Sequence, residues 1–162
     1  NQIGWDGSRA IELIVPTGQG VEDAANIIVE NLRNVGININ TKVVDMPTAI
    51  QAQISGNYDM ALGNLAFQYD PDQSNFYKTG SSNNFPRYSN PRLDELFEKG
   101  IVETDPAERK KYYDEFQMIY MTDLPHIPLY YDYRMMAVSK RVTVGEPRDI
   151  GMLIDVHEWE VQ

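Results

Sequence analysis

Residues 10–44, AIELIVPTGQGVEDAANIIVENLRNVGININTKVV, decide which fold this chain adopts. The apolar run Ala10–Val15 predicts a short strand, and the following PTGQG predicts a loop because Pro and Gly interrupt regular structure. Apolar side chains then recur at helical spacing up to Gly36, which is placed to end a helix. The members of this stripe are Val21, Ala24, Ala25, Ile28, Leu32 and Val35. Residues 37–44 alternate apolar and polar side chains, so they predict a strand with one solvent-facing side.

The next segment repeats the alternation of helix and strand. Pro47 suits the first turn of a helix, Ile50 and Ile54 share one side of it, and Gly56 suits its end. Tyr58–Phe67 is apolar enough for a strand buried on both faces. Polar side chains crowd the exit of that strand, namely Asn64, Gln68, Asp70 and Asp72. This order predicts an α/β unit with parallel pairing, in which ligands bind where the strands end.

The second half of the chain is predominantly helical. Asn90 with Pro91 predicts one helix start, and Asp105 with Pro106 predicts another, in which Asp105 caps while Glu108 reaches back. Their apolar stripes consist of Leu93, Leu96, Phe97 and Ile101 in the first helix and Tyr112, Tyr113, Phe116, Ile119 and Tyr120 in the second. Two short strands are then predicted at Ile127–Tyr131 and Arg134–Ser139, joined by a turn near Asp132.

The composition excludes several classes of protein. A chain of 162 residues that is 42% hydrophobic fits one domain, or one lobe of a larger protein. Its 14 Lys and Arg against 24 Asp and Glu give a net charge of −10, which argues against binding to a phosphate backbone. The absence of cysteine excludes a disulfide scaffold, an iron–sulfur cluster and a thiolate zinc site. The apolar runs are far shorter than the ~20 residues that cross a bilayer, so no membrane segment is predicted.

Several motifs in sequence order carry a resemblance to a known family. They are LIVPTGQG, AANIIVENLRNVGININTKVV, YDMAL, DPD and the long segment from YSNPRLDELFEKG to LPHIPLYY. In this order they resemble the C-terminal lobe of the family 5 extracytoplasmic solute-binding proteins, the oligopeptide, dipeptide and nickel-type receptors of ABC importers. The resemblance covers nearly the whole chain.

The resemblance implies an architecture and a function. It implies one α/β lobe of a two-lobed periplasmic-binding-protein-like fold, with a mixed sheet flanked by helices. Residues 1–9 would be an inter-lobe linker, residues 10–145 the ligand-binding lobe, and residues 146–162 a tail returning toward the hinge or the other lobe. The first residues, NQIGWDGS, resemble the interior of a longer chain, so the N-terminal lobe is expected to be missing from this sequence.

The implied activity is capture of a solute rather than catalysis. A peptide or other small solute would be held between the two lobes and delivered to the permease subunits, without a cofactor or a nucleic-acid partner. The implied location is extracytoplasmic, either periplasmic or on the cell surface as a lipoprotein.

The same resemblance indicates the ligand-binding residues, and two of them depart from the family pattern. Peptide-binding members usually have Gly-Trp here, followed by an Asp that neutralises the peptide α-amine. Alignment on Gly63 and Asp70 puts Asn64 at the Trp position and Phe67 at the Asp position. Phe67 could meet an ammonium only through its ring face, worth roughly 0.5–2 kcal/mol, so a free peptide N-terminus is not expected to be the chief recognition element. Recognition is expected instead through the backbone of residues 64–66, which can pair with an extended ligand.

The implied ligand-binding set is Gly63, Asn64, Leu65, Ala66, Phe67, Gln68 and Tyr130. Other readings of these residues stay open: Asn64 and Gln68 would also suit an ordinary loop, and Phe67 a core position.

Two other functions stay open as well. One is a ligand-sensing domain of a regulatory protein with the same fold, and the other is an acid/base hydrolase that uses carboxylates such as Asp59, Asp70 and Asp72. Neither His126 nor His157 has neighbours at metal-ligand spacing, so no metal site is predicted.

Overall fold

The computed structural model describes residues 8–18, 20–65, 69–131, 137–145 and 155–161. Contacts divide these residues into two compact units. The first unit contains residues 8–65 and 72–125, and the second contains residues 69–71 and those from 126 onward.

The first half of the first unit is a parallel α/β arrangement. Its elements are β1 (Ile11–Pro16), α1 (Val21–Asn34), β2 (Ile39–Val44), α2 (Met46–Ser55) and β3 (Met60–Ala61). The strands form one sheet in the order β2-β1-β3, and both pairings are parallel. The predicted alternation of strand and helix is therefore confirmed, and the α/β fold class with it.

Strand β1 lies at the centre of this sheet and forms its core. Leu13 and Val15 are fully buried and pack in one cluster with Ala25 of α1. Ile14 is equally buried, and the alternation of side chains along a strand points it to the opposite face. The crossover from β1 to β2 and the crossover from β2 to β3 run in opposite directions across the sheet, and right-handed connections then place α1 and α2 on opposite faces. Helix α2, with its buried Ala49, therefore covers the side of Ile14.

The second half of this unit is a small helical assembly. It contains α3 (Ser74–Tyr77), α4 (Pro91–Val102) and α5 (Pro106–Asp123), and α4 with α5 forms a helical hairpin. Its core cluster consists of Tyr77, Leu93, Leu96, Phe97, Tyr113 and Phe116. Phe116 is the aromatic centre of this cluster, with its ring centroid 5.1 Å from that of Phe97 and 5.8 Å from that of Tyr77. The short helix α3 is not predicted from the sequence, although it supplies the largest buried side chain of the cluster.

The predicted helix boundaries are confirmed to within about one residue. Gly36 and Gly56 follow α1 and α2 with φ of 83° and 73°, the left-handed region that glycine adopts at low cost. The side chains of Asn90 and Asp105 cap α4 and α5 by accepting from backbone amides of the first turn. The expected return bond from Glu108 is wrong, because the amide of Asp105 donates to Glu103 at 2.9 Å.

Two features of the predicted α/β part are corrected. Within residues 58–65, the described part of the predicted strand Tyr58–Phe67, only Met60–Ala61 forms a strand of the sheet, and Gly63 and Asn64 are exposed. The last hydrogen bond of this pairing runs from the amide of Leu62 to the carbonyl oxygen of Ile14. β3 lies at the edge of the described sheet, and beyond Leu62 the chain leaves β1. In addition, four predicted stripe members are exposed: Val35, which follows the end of α1, and Ile50, Ile54 and Ile101.

The second unit contains a two-stranded antiparallel sheet. It pairs β4 (Val142–Thr143) with β5 (Glu160–Val161), and a 3-10 helix at Val156–Glu158 precedes β5. Parallel and antiparallel pairing therefore occur in two separate sheets. The strand predicted at Ile127–Tyr131 is irregular, because Pro128 lacks an amide donor and no described strand pairs with this segment. The second predicted strand is irregular at residues 137–139, and its first part, with the turn near Asp132, lies outside the described residues.

None of the helices in the described ranges combines the length and the apolar character that a membrane span requires.

Candidate functional site

The carboxyl ends of the three parallel strands meet at one edge of the sheet. β1 ends at Pro16 and β2 at Val44, and the amide of Thr17 donates to the carbonyl oxygen of Val44 at 2.8 Å. On the other side of β1, the amide of Leu62 donates to Ile14 at 2.9 Å. The loops that follow all three strands are therefore held together at this edge, which we call the carboxyl edge.

The strand order places a topological switch point between β1 and β3. The chain leaves β1 toward β2 in one direction and then crosses back to β3 on the other side of β1. The loops after β1 and β3 consequently diverge, and open α/β sheets bind their ligands in the crevice between such loops. At this crevice lie Thr17, Gly18 and Gly20 from the first loop and Gly63, Asn64 and Leu65 from the second.

Three of the predicted ligand-binding residues lie at this crevice. Gly63 and Asn64 are exposed and Leu65 is half-buried. The space beside Gly63 is open, because a β-carbon built there would meet only Gln53 Oε1, at 4.0 Å. An extended ligand could therefore approach the backbone here without a clash.

The other predicted residues are not brought to this crevice by what the structure describes. Ala66, Phe67 and Gln68 lie outside the described residues. Tyr130 belongs to the second unit, where its side chain is 63% exposed in an irregular segment. Its neighbour Tyr131 is 94% exposed.

The loop after β1 is the part of the crevice that sequence reasoning missed. Gly18 and Gly20 have φ of 102° and 74°, so this turn depends on glycine. Gly20 precedes α1, and no side chain caps that helix. The signal was present in PTGQG, which directly follows an apolar strand.

Acidic side chains lie at the carboxyl edge of the sheet, whereas the opposite edge carries both signs, since Asp59 pairs with Arg9 there. Glu22 and Asp23 lie in the first turn of α1, and Asp45 precedes α2, so all three carboxylates lie at the carboxyl edge. Asp45 accepts from the amide of Thr48 at 2.9 Å, and hydrogen bonding to Thr48 lowers the pKa of its carboxyl group. Arg33 and Arg87 lie at the opposite ends of α1 and α2. The carboxyl edge is therefore the acidic side of this α/β part.

Two of the three carboxylates considered for a hydrolase, Asp59 and Asp72, are engaged in structural contacts. Asp59 lies before β3, where its two oxygens accept from Arg9 Nη2 at 2.7 Å and from the amide of Glu12 at 3.0 Å. Asp72 accepts from the amide and the hydroxyl group of Ser74. These contacts do not bring Asp59 and Asp72 together as a catalytic pair.

The histidines do not form a metal site with other side chains in the described part of the chain. That part contains no group of three His, Cys, Asp or Glu side chains able to hold an ion. Burial lowers the pKa of His126, which favours its neutral form. His157 is exposed, with Nε2 3.6 Å from Glu158 Oε1.

Comparison with known proteins identifies a consistent set of relatives. The chain is 26% identical over 148 residues to the oligopeptide-binding protein AppA of Bacillus subtilis, covering 85% of this chain and 26% of AppA. It is 29% identical over 126 residues to the peptide transport periplasmic protein SapA of Haemophilus influenzae, covering 73% of this chain and 22% of SapA. The chain thus spans about a quarter of the length of these curated relatives. No family model matches it.

The fold itself is that of solved binding proteins. The structure of AppA from Bacillus subtilis in complex with a nonapeptide matches 94% of this chain and 32% of that chain, with a TM-score of 0.83 and 21% identity. The substrate-binding protein CtaP from Listeria monocytogenes matches 75% of this chain and 26% of that chain, with a TM-score of 0.67 and 26% identity. The resemblance to oligopeptide- and dipeptide-binding proteins of the family 5 solute-binding type is therefore confirmed.

Proposed function

We propose that this chain is a ligand-binding lobe of an ABC-importer receptor, which captures a peptide between two lobes and delivers it to a membrane permease. The observation that carries the proposal is the match over 94% of the chain to a binding protein solved with a nonapeptide. In this proposal residues 10–145 are the lobe, residues 1–9 the linker to the missing N-terminal lobe, and residues 146–162 the returning tail. The receptor acts outside the cytoplasm and performs no chemistry.

The crevice at the carboxyl edge is the proposed wall for the peptide. Its open backbone at Gly63, Asn64 and Leu65 supports pairing with an extended ligand, in which amide and carbonyl groups supply the affinity. Ala66, Phe67 and Gln68 continue this wall in the proposal. Tyr130 remains a member of the proposed ligand-binding set.

The proposed mechanism is a shift of population between open and closed forms. A peptide that touches both lobes has extra affinity for the closed geometry, so binding favours that geometry and the permease recognises it. One lobe alone has only part of the contacts, so the 162-residue chain is expected to bind weakly by itself.

The test uses the full-length receptor purified without added peptide. Native mass spectrometry, followed by denaturation and sequencing of the released material, identifies what co-purifies with the protein. We expect peptides that are released on unfolding and that can be replaced by tryptic peptides of casein. A receptor that releases no peptide and does not respond to the casein peptides would contradict the proposal.

A further inference from the structure

Helix α2 exposes an apolar stripe on a chain that is otherwise strongly charged. Met46, Ile50 and Ile54 lie four residues apart along the helix, and their side chains are 48%, 41% and 54% exposed. The helix sequence MPTAIQAQIS contains no charged residue, although 23% of the chain is charged. A solvent-facing helix usually carries charged side chains on its outer face, so this one has the character of a covered surface.

One end of this stripe lies at the carboxyl edge. Met46 is the first residue of α2, and Asp45, which caps the helix, separates it from the end of β2. At 1.5 Å rise per residue, Ile50 lies about 6 Å and Ile54 about 12 Å along the helix from Met46. Met46 and Ile50, which we call the apolar rim, therefore lie near the carboxyl edge, while Ile54 lies toward the far end of the helix.

We propose that the apolar rim is the surface against which the second lobe of the full-length receptor closes. This inference rests on the proposed function. A lobe that closes over the carboxyl edge reaches the rim before it reaches Ile54, and it meets the carboxylate of Asp45 beside Met46. The complementary surface is accordingly apolar opposite the rim, with a polar or basic group opposite Asp45.

The size and charge of the rim favour a tethered lobe over a second copy of this chain. A stable dimer buries about 800 Å² and twenty to thirty residues on each side, far more than two side chains. Two copies would also bring together net charges of −10 each. A lobe of the same polypeptide is held at high effective concentration, so a small apolar contact is enough to bias its position.

The rim would then contribute to ligand affinity without touching the ligand. Apolar surface that is buried only in the closed form lowers the free energy of that form. Because apparent affinity scales with the population of the binding-competent geometry, loss of the rim weakens binding through closure alone.

The experiment compares two variants of the full-length receptor. The rim variant carries Met46→Gln and Ile50→Gln, and the matched control carries Ile54→Gln on the same stripe. Tryptic peptides of casein are the probe, and the readouts are the concentration that gives half of the tryptophan fluorescence change and the decrease in radius of gyration on saturation. Thermal unfolding checks that both variants fold.

The proposal predicts that the rim variant needs roughly five times more probe and compacts less, whereas the control stays within about twofold of the unmodified receptor. Equal behaviour of rim variant and control overturns it. An equal loss in both variants overturns it as well, because it indicates a partner that covers the whole length of α2. If the unmodified receptor itself does not respond to the probe, the proposed function fails and this inference fails with it.

Discussion

The guanidinium group of Arg87 lies against Gly56 at the end of α2. Its Nη2 atom donates to the carbonyl oxygen of Ser55 at 2.8 Å. The last carbonyl groups of a helix have no amide partner within the helix, so the guanidinium group supplies the missing donor. A second bond joins the loop of Arg87 to the strand region, from the hydroxyl group of Tyr58 to the carbonyl oxygen of Phe85 at 2.9 Å. The loop before α4 is thus fastened to the α/β part at the helix terminus.

Replacement of Arg87 by Ala is expected to lower the free energy of unfolding, because it removes this contact. The change removes a charge-assisted bond and a favourable charge at a helix C-terminus, which together stabilise by about 1 kcal/mol at an exposed site. Urea unfolding followed by circular dichroism measures the loss. The control is Arg33→Ala, which removes a cation from the last turn of α1 and is expected to cost less. An equal cost would contradict a specific role for the contact with Ser55.

Because the guanidinium group of Arg87 lies close to Gly56, Gly56→Ala is expected to lower the free energy of unfolding more than Gly36→Ala does. Both glycines have positive φ, which costs an Ala about 1–2 kcal/mol. A β-carbon at Gly56 would in addition lie 2.5 Å from Arg87 Cζ, while one at Gly36 would meet nothing within 4 Å. The unfolding free energies of the two variants should therefore differ, and the difference should disappear when Arg87→Ala is added to both.

The buried amide of Asn84 organises the same loop. Its Nδ2 donates to the carbonyl oxygens of Lys78 at 3.1 Å and Tyr88 at 2.7 Å, and its Oδ1 accepts from the amide of Tyr88 at 3.0 Å. Asn84→Ala leaves these backbone groups without a partner and should cost about 2–4 kcal/mol of unfolding free energy. Asn83→Ala, at the next position, is the control and should cost less than about 0.5 kcal/mol. Comparable losses would mean that the loop is sensitive to any change.

The hydroxyl group of Tyr88 makes the stability of the folded chain depend on pH. Burial, together with the 2.5 Å hydrogen bond to Asp123, raises the pKa of Tyr88 from 10.0 to about 12. The folded chain therefore keeps the phenolic proton more tightly than the unfolded chain. The contribution of Tyr88 to stability is fully present below pH 10 and is lost as the pH rises toward about 12.

The measurement compares the unmodified chain with Tyr88→Phe. The difference between their unfolding free energies should be constant at neutral pH and should shrink between pH 10 and pH 12. Comparison of the two proteins removes the effects of the other tyrosines, of which Tyr77 also has a raised pKa because of burial. A difference that stays constant over this range would show that the hydroxyl group titrates alike in both states.

The contrast between these elements explains what the sequence could and could not predict. The caps at Asn90 and Asp105 and the stops at Gly36 and Gly56 act within one turn of chain, so local patterns predict them. The end of β3 depends on where β1 stops offering hydrogen bonds, and that partner lies more than forty residues away. For the same reason the sequence gives no sign that Arg87 lies on Gly56 or that Asn84 holds Tyr88.

The candidate site divides in the same way. The sequence predicts that Gly63, Asn64 and Leu65 follow a strand of a parallel sheet, and this is enough to place them at a carboxyl edge. It does not predict that the glycine-rich loop before α1 shares that edge at a switch point. The strand order β2-β1-β3 creates that relationship, and strand order depends on tertiary pairing.

The proposed pairing of the peptide with the backbone near Leu65 can be tested at a single atom. Leu65→Pro in the full-length receptor removes one amide donor from the wall, whereas Leu65→Ala keeps the donor and shortens the half-buried side chain. If the ligand pairs with this amide, Leu65→Pro should weaken binding of tryptic casein peptides about tenfold or more, since a buried acceptor on the ligand loses its partner.

Leu65→Ala should weaken binding of the same peptides by less than about threefold, because an apolar side chain at a half-buried position contributes to packing and not to the pairing itself. Unfolding of the ligand-free receptor must be measured for both variants, since proline also restricts the preceding residue, Asn64. If both variants unfold alike and bind alike, the amide of Leu65 does not pair with the ligand, and backbone recognition at this position is wrong.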